Sequence, residues 1–292
     1  MRRLVARSGT AWVGAFVPAA GEFVHYVETG PAGGLPVVLL HGFGAWSFTW
    51  RLNLEALGRA GLRALAPDLR GFGLTTKPPA GGYSLWDQAR LVLAWMDALG
   101  IRQAVLGGNS LGGEISLRIA LLAPERVLGL LLVSSAGYVP MWMPTLARWA
   151  VRYPALATPL ARLVWANGRF IGSVLRAAYH NPARLTAQDV AGYALPARTP
   201  GAARGLLGML PEMDPGAAAG QFASIRKPAL LVWGLHDPWT PLDHGQRLAR
   251  DLGGAPLEVF RDAGHLPHEE QADRFNDLAV RWLRGLAAGL TP

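Results

Sequence analysis

The stretch that decides the fold is AVLGGNSLGG, residues 104–113. Its apolar beginning predicts a buried strand, and the apolar pattern that follows predicts a helix, which Pro124 ends. A Gly-x-Ser-x-Gly sequence between a strand and a helix is typical of a nucleophile elbow, which holds a serine hydroxyl exposed on a sharp turn. We therefore predict that Ser110 is a nucleophile, with Gly108 and Gly112 leaving room for the bend.

Two further residues follow in the chain order of a serine triad. Asp237 and His265 each come just after an apolar, strand-like run. A serine hydroxyl needs a base to remove its proton, and histidine is the usual base. A carboxylate fixes the histidine tautomer and stabilises the imidazolium. The order Ser…Asp…His therefore predicts catalytic roles, in preference to a turn serine, an Asx-turn before Pro238 and an ordinary loop histidine.

A glycine-rich loop supplies the remaining part of such a site. HGFG, residues 41–44, follows another apolar run directly, and its glycines let the backbone approach a ligand. We expect an oxyanion hole made by the backbone N–H groups of Phe43 and of Leu111, the residue after Ser110.

Apolar runs alternate with helical patterns along most of the chain, which predicts an α/β fold. The expected architecture is a mostly parallel twisted sheet with helices on both faces, preceded by an antiparallel strand at residues 23–28. Other strands are expected at residues 11–20, 36–41, 62–67, 102–108, 127–134, 229–234 and 257–261, and helices at 46–61, 84–100, 111–123, 242–252 and 275–286.

The alternation breaks between Tyr138 and Phe222, which predicts a helical insertion. The segment carries eight arginines against three acidic residues, so it holds five of the eight net positive charges. We divide the chain into an N-terminal core part (1–137), a helical cap insertion (138–222) and a C-terminal core part (223–292).

Large side chains of this insertion are candidates for the substrate pocket, because such pockets are mostly apolar. The alternative is that these aromatic residues belong to the core of the insertion, as is more common. The arginines are expected to form a solvated face, although a role in attracting anionic substrates or lipid is also open. The substrate-binding candidates are Trp142, Met143, Trp149 and Trp165.

Composition excludes several classes of protein. A hydrophobic fraction of 51% with 16% charged residues indicates a globular chain. The absence of cysteine excludes disulfides and thiolate metal sites. The 26 arginines against 2 lysines reflect genomic composition better than nucleic-acid binding, because no basic run or nucleic-acid motif is present. We expect no metal, no organic cofactor and no nucleic-acid partner.

One uncharged stretch, residues 127–147, is long enough to cross a bilayer. Its serine, glycine and proline residues favour a buried strand followed by a loop. The apolar N-terminal segment is interrupted by Gly14 and Pro18, so a first strand explains it at least as well as a signal peptide. We expect a soluble, cytoplasmic protein without stable membrane insertion, and the sequence leaves its oligomeric state open.

Four polar residues near these motifs are assigned structural places. We expect His41 to pack or hydrogen-bond locally, and Asp68 to belong to a turn after a strand. His236 and His268 are expected at the surface or around the site, without contact to the reacting atoms.

Together the motifs resemble the α/β-hydrolase fold family, in its serine esterase and lipase-like branch. The matching stretches are HGFG at 41–44, PDLRGFG at 67–73, GNSLGG at 108–113, GLHDPWTP at 234–241 and DAGHLP at 262–267. The resemblance covers nearly the whole chain, with the insertion corresponding to the family's variable cap. Haloalkane dehalogenases and epoxide hydrolases of this family carry aspartate at the elbow, and Ser110 argues against both.

The resemblance implies hydrolysis of small carboxylic esters, the small-molecule substrates, through an acyl-enzyme. A carbon–carbon bond hydrolase of aromatic degradation is the nearest alternative, but those enzymes tend to have a Gly-Pro-Gly loop and an aromatic residue after the histidine. Here the loop is Gly-Phe-Gly-Ala and Leu266 follows His265. A cofactor-free perhydrolase and a non-enzymatic ligand receptor on the same scaffold are further alternatives.

Overall fold

A nine-stranded, mostly parallel sheet forms the centre of the molecule. A computed structural model describes residues 3–5, 11–79, 81–138 and 153–290. The strand order is β1-β2-β3-β5-β4-β6-β7-β8-β9; the first three neighbouring pairs are antiparallel, and the remaining five are parallel. The strands are β1 (Arg3–Val5), β2 (Ala11–Ala19), β3 (Glu22–Thr29), β4 (Pro36–Leu40), β5 (Arg63–Pro67), β6 (Ala104–Asn109), β7 (Val127–Val133), β8 (Ala229–Gly234) and β9 (Leu257–Phe260).

Helices cover both faces of this sheet, as the alternating pattern predicts. The two faces of strand β4 pack into different cores. Val38 and Leu40 join one cluster with the helices at residues 85–98, 111–122 and 242–251. Val37 and Leu39 join another with the helices at residues 54–59 and 272–290. This explains why β4 is apolar at consecutive positions. The helices are α1 (Leu54–Arg59), α2 (Leu85–Ala98), α3 (Leu111–Leu122), α4 (Pro154–Trp165), α5 (Gly168–Ala178), α6 (Ala187–Ala194), α7 (Ala202–Glu212), α8 (Leu242–Asp251), α9 (Pro267–Glu270) and α10 (Ala272–Leu290).

One expected helix is divided in the structure. The spacing of Trp46, Trp50, Leu54 and Leu57 predicts a single helix, but the chain forms a 3₁₀ helix over Ser47–Trp50, a turn, and then α1. All four side chains are nevertheless fully buried. A 3₁₀ turn followed by an α-helix keeps these residues on the inner side, so apolar spacing alone does not reveal the break.

The order of the strands fixes where a ligand can bind. The chain passes from β4 to β5 on one side and then returns to β6 on the other side of β4. Ligands of open α/β sheets bind at such a reversal, outside the carboxyl ends of the strands. Leu40 pairs with Gly108, so the loop after β4 and the turn after β6 leave the sheet side by side.

The segment between β7 and β8 leaves the sheet and is helical where it is described. It contains α4, α5, α6 and α7 together with short 3₁₀ helices, of which the last covers Ala219–Ser224. A small core of its own joins α5, α6 and the 3₁₀ turn at residues 196–198 to Leu266, the residue after His265. The inserted helices therefore lie against the chain that carries His265.

Candidate active site

Ser110 lies on a strained turn between β6 and α3. Its φ is 53° and its ψ is −119°, a backbone conformation that residues other than glycine rarely adopt. Its N–H donates to the Val133 carbonyl at 3.0 Å, and its own carbonyl accepts from the Gly113 and Ala136 N–H groups at 3.0 Å each. Such backbone strain costs on the order of 1–3 kcal/mol, and these bonds to β7, to the loop after it and to the start of α3 offset it.

The glycines of the motif permit the close approach of helix and strand. A Cβ on Gly112 would stand 2.3 Å from the Leu40 carbonyl oxygen, and a Cβ on Gly108 would stand 2.2 Å from the Gly112 carbonyl carbon. Because the atoms in the way are backbone, no side-chain rotation relieves either clash. The predicted structural reason for both glycines therefore agrees with the observed packing.

Asp237 and His265 are in direct contact. The two Asp237 carboxylate oxygens lie 3.0 and 2.9 Å from His265 Nδ1, and both side chains are buried. Burial raises the pKa of Asp237, but the neighbouring His265 and hydrogen bonds from Thr240 outweigh it and hold that pKa below its usual value. The carboxylate is therefore ionised at neutral pH and able to accept the His265 Nδ1–H.

The loop after β8 orients this carboxylate. The N–H groups of Trp239 and Thr240 donate to Asp237 Oδ1 at 2.9 Å each, and the Thr240 hydroxyl donates to Oδ2 at 2.7 Å. Asp237 thus forms an Asx-turn and also contacts His265, so the two interpretations of this residue are compatible. Sequence reasoning missed Thr240, for which the spacing Asp-Pro-Trp-Thr is the available signal.

His265 is held from both sides through its backbone. Its N–H donates to the Ala178 carbonyl at 2.8 Å, at the end of α5. Its carbonyl accepts from Asn109 Nδ2 at 3.1 Å, and Asn109 immediately precedes Ser110. The Trp239 ring packs edge-on against the imidazole, with centroids 4.8 Å apart. Asn109 and Trp239 were also missed by sequence reasoning.

The loop after β4 brings two backbone donors beside Ser110. A Cβ on Gly42 would stand 3.2 Å from the Ser110 Cβ, so the two turns are in contact. Among the described residues, the N–H groups of Phe43 and Leu111 have no hydrogen-bond acceptor within the fold. Donors of this kind are available to a ligand oxygen.

His41 orients the first of these peptide groups. The Leu69 N–H donates to His41 Nε2 at 2.9 Å, so that nitrogen is an acceptor and the proton is on Nδ1. Nδ1–H then donates to the Gly42 carbonyl at 2.8 Å. Burial lowers the pKa of His41, which keeps this neutral form. In a trans peptide the Phe43 N–H points away from the Gly42 oxygen, so the bond from His41 fixes its direction.

The four insertion candidates have different outcomes. Trp142, Met143 and Trp149 lie outside the described residues. Trp165 lies over the loop after β4, because a Cβ on Gly44 would stand 2.8 Å from the end of its ring. Trp165 is partly buried and also packs against the small core of the insertion. Its packing in this core agrees with the structural alternative, and its role in substrate binding stays a prediction.

Of the two places expected for His268, at the surface or around the site, the structure excludes the first. His268 is fully buried, stacks near Trp50 with ring centroids 4.3 Å apart, and lies 3.0 Å from the Thr49 hydroxyl. Burial lowers its pKa to about 4, so it is neutral at pH 7. His236 is exposed. Asp68 follows β5 directly and is buried, where it accepts from the Ser47 and Leu74 N–H groups at 2.8 Å each and lies 2.8 Å from His25 Nδ1.

A buried network around Glu269 connects the insertion to the core. Its carboxylate accepts hydrogen bonds from Thr49 and Arg51 of the core and from Tyr179 and Tyr193 of the insertion. Arg51 also pairs with Asp189 at 2.9 Å. In the part of the chain that the structure describes, no group of three or more His, Asp or Glu side chains is placed to hold a metal ion.

Comparison with known proteins agrees with this architecture. A sequence model of the α/β hydrolase fold matches residues 36–272. The chain is 30% identical over 279 residues to 2-hydroxy-6-oxo-6-phenylhexa-2,4-dienoate hydrolase of Comamonas testosteroni, covering 89% of this chain and 91% of that protein.

Two solved structures are similar over almost the whole chain. The meta-cleavage product hydrolase from Pseudomonas fluorescens IP01 has a TM-score of 0.78 at 28% identity, covering 94% of this chain and 98% of the other. A thermophilic esterase from Thermogutta terrifontis has a TM-score of 0.75 at 25% identity, covering 94% of this chain and 99% of the other.

Proposed function

Because this chain belongs to the α/β-hydrolase fold family, we propose that it is a serine hydrolase that cleaves small, neutral, apolar carboxylic esters. The observation that carries the proposal is the strained turn of Ser110. That turn touches the loop that carries the Phe43 N–H and is followed by the Leu111 N–H, and neither group has an acceptor. Asn109, which precedes Ser110, donates to the carbonyl of His265, and His265 pairs with Asp237.

The proposed reaction proceeds through an acyl-enzyme. Ser110 Oγ attacks the ester carbonyl carbon while His265 Nε2 takes its proton, and Asp237 stabilises the imidazolium. His265 then gives that proton to the leaving alcohol as the carbon–oxygen bond breaks. A water molecule, deprotonated by the same nitrogen, attacks the acyl carbon and releases the acid and free Ser110.

In the tetrahedral intermediates, negative charge develops on the former carbonyl oxygen. We assign its stabilisation to the N–H groups of Phe43, on the loop that touches Ser110, and of Leu111, the residue after Ser110. His41 is then a positioning residue, because it acts on the oxyanion through the Gly42–Phe43 peptide without touching it. Loss of one such donor typically lowers the rate by about 10²–10³.

A neutral substrate is favoured because the buried arginines are already paired with carboxylates. Among the described residues, the buried arginines are Arg51 and Arg118. Arg51 pairs with Asp189 and Glu269, and Arg118 pairs with Glu114 and Asp214. A substrate carboxylate would have to compete with these carboxylates. The aromatic rings of Trp165 and Trp239 beside the site favour apolar acyl or alcohol groups.

A carbon–carbon bond hydrolase is the second candidate, favoured by the names of the relatives. Two of the similar proteins described above are a dienoate hydrolase and a meta-cleavage product hydrolase. A dienoate is an anion, so it would need a cation in the site. The paired state of Arg51 and Arg118 adds to the two sequence differences, in the loop after β4 and at Leu266, for which we rank this candidate second.

The helical insertion is proposed to act as a cap over this site, with boundaries near residues 138 and 222. Its contacts with Gly44, through Trp165, and with His265, through Ala178, support that role. A cytoplasmic location, expected from the sequence, remains a prediction.

The distinguishing experiment measures kcat/KM for nitrophenyl esters of increasing acyl length beside a vinylogous diketone of the ring-cleavage type. We expect ester turnover to rise by up to about four-fold for each added CH₂ and then to fall when the pocket is full, since burial of a CH₂ contributes about 0.8 kcal/mol. Ser110→Ala is the background control. Rapid carbon–carbon cleavage with only trace ester turnover would reverse the ranking of the two candidates.

A further inference from the structure

Two consecutive helices of the insertion expose an apolar face. On α4, Leu156, Leu160 and Leu163 are 67%, 51% and 73% exposed. Their spacing of four and three residues places them on one side of the helix. On α5, Phe170 and Val174 are exposed at a spacing of four. We call these five side chains the outer face.

The outer face is not the side by which the insertion packs. Ala157 on α4 is almost fully buried, as are Ile171 and Leu175 on α5, and Trp165 joins the same internal core as the last two. The helices are therefore apolar on both sides. A helix apolar on both sides is normally covered on both, and exposed apolar patches commonly mark interaction sites.

The two helices of the outer face carry charge of one sign. No aspartate or glutamate occurs between Glu125 and Asp189. The same two helices carry Arg162, Arg169 and Arg176, all exposed. Leucine and phenylalanine beside arginine, with no acidic residue, is the composition of helices that lie flat in the headgroup region of a membrane.

The charge of these helices also favours a membrane over a second copy of this chain as the partner of the outer face. A twofold dimer would bring the same patch of each subunit together, placing arginines against arginines with no acid on either helix to pair with them. An anionic surface gives each arginine a counter-charge, and the net charge of +8 acts in the same direction.

We propose that the outer face docks the protein on an anionic phospholipid bilayer, with α4 and α5 lying parallel to the surface. Within the ranges that the structure describes, no helix is long and apolar enough to cross a membrane. The attachment is accordingly peripheral: leucine and phenylalanine side chains enter the acyl boundary while arginines contact lipid phosphates. This proposal does not depend on the chemistry assigned to Ser110.

The experiment is co-sedimentation of the full chain with vesicles of phosphatidylcholine alone or mixed with phosphatidylglycerol. We expect binding to the mixed vesicles, weakened by salt, and at least about five-fold weaker partitioning for Arg162→Gln/Arg169→Gln, because each cation near the surface contributes substantially. Leu160→Gln/Leu163→Gln should also weaken binding.

Matched variants control for general loss of charge or apolar surface. Arg59→Gln/Arg90→Gln removes two exposed arginines of the core, and Phe16→Gln/Phe23→Gln removes two exposed apolar side chains of the early strands. Both pairs should bind as the wild type does, and circular dichroism checks the fold of every variant.

Three results would overturn the proposal. The first is absence of binding to mixed vesicles, and the second is equal loss in the outer-face and control variants. The third is a dimer in sedimentation velocity that the leucine variants dissociate, which would show that a second copy covers the face.

Discussion

At the scale of single residues, the candidate site depends on fixed hydrogen-bond directions. The Asp237 carboxylate accepts hydrogen bonds from two backbone N–H groups and one hydroxyl in addition to its contact with His265. These bonds keep the carboxylate from rotating away from the imidazole. The imidazole in turn is anchored through its backbone to Asn109, next to Ser110. Preorganisation of this kind keeps the correct tautomer in place without cost at the moment of reaction.

Replacement of Asp237 by asparagine tests the acid. Asp237→Asn retains the shape but no longer favours the His265 tautomer with Nδ1–H, so we expect kcat to fall by up to about 10⁴ with a native fold. The measurement is steady-state ester turnover. The control is Asp262→Asn, which changes an exposed aspartate on the loop that carries His265. An Asp237→Asn enzyme as active as the wild type would refute the pairing.

His41 provides a test of the oxyanion hole through a residue that does not touch the substrate. His41→Ala removes the bond to the Gly42 carbonyl and frees the peptide to turn, so we expect kcat to fall about ten- to a hundred-fold, less than for loss of a donor. KM should change little, because the interaction is made in the transition state.

The conservative variant His41→Asn separates positioning from packing. An asparagine amide can replace Nδ1–H as donor to the Gly42 carbonyl, but it cannot reach the Leu69 N–H. We expect it to recover part of kcat. Equal loss in the alanine and asparagine variants would indicate that His41 contributes only by filling space.

At the scale of secondary-structure elements, the close contact of α3 with β4 and β6 is what places Ser110 at the sheet edge. The same substitution in two helices tests this. Gly112→Ala forces a Cβ to 2.3 Å from the Leu40 carbonyl oxygen, whereas Gly285→Ala in α10 meets nothing within 4 Å.

The two substitutions should change the free energy of unfolding in opposite directions. We expect Gly112→Ala to lower the free energy of unfolding by about 1–3 kcal/mol or more and to reduce ester turnover. Gly285→Ala should raise the free energy of unfolding by about 0.5–1 kcal/mol, through better helix propensity. Urea titration of both measures the difference. Equal stability of the two variants would contradict the backbone clash.

Most elements could be predicted from sequence because their signals are local. The apolar run at β8 gives its bounds without error, and Ser84 with Asp87 marks the start of α2, where the Ser84 side chain accepts the Asp87 N–H. The divided helix after β4 could not be predicted, since burial of Trp46 and Trp50 is compatible with either helix type. The order of the strands at the reversal could not be predicted either, because it depends on pairing between segments that are distant in the sequence.

The site was only partly predictable for the same reason. Ser110, Asp237 and His265 follow local motifs, so the sequence makes them candidates. The direction of the His41 hydrogen bonds depends on Leu69, and the support of His265 depends on Ala178, at the end of an inserted helix. No spacing rule connects residues that meet only after the sheet has formed.

At the scale of the whole molecule, the network around Glu269 ties the insertion to the core directly beside the His265 loop. Burial and the neighbouring charges act on Glu269 in opposite directions, and Arg51 holds its pKa below the usual value. The carboxylate is therefore ionised while it accepts hydrogen bonds from Tyr179 and Tyr193. Removal of one partner from such a network leaves a buried charge without compensation.

His268 makes the stability of this region depend on pH. Its pKa is about 4 in the folded protein against 6.5 for the free side chain. The unfolded chain therefore binds a proton that the folded chain does not, and stability is lost as the pH falls from about 6.5 to about 4.

A variant that lacks His268 should lose its contribution to that dependence. Between pH 7 and pH 4.5, the fall in the free energy of unfolding should be smaller by about 2–3 kcal/mol in His268→Gln than in the wild type. Urea titrations at the two pH values give the comparison, and His41, also buried, is present in both proteins. An unchanged pH dependence would show that His268 is protonated in the folded state.

Ser110 is the nucleophile in the reaction that we propose, and covalent labelling of the active site examines that role without an assumed substrate. The native protein is treated with a fluorophosphonate, digested and mapped by mass spectrometry while ester turnover is followed. We predict one adduct on Ser110, loss of turnover in proportion to labelling, and no adduct in a folded Ser110→Ala variant. An adduct on another residue that abolishes turnover, or full ester turnover by Ser110→Ala, would contradict the account.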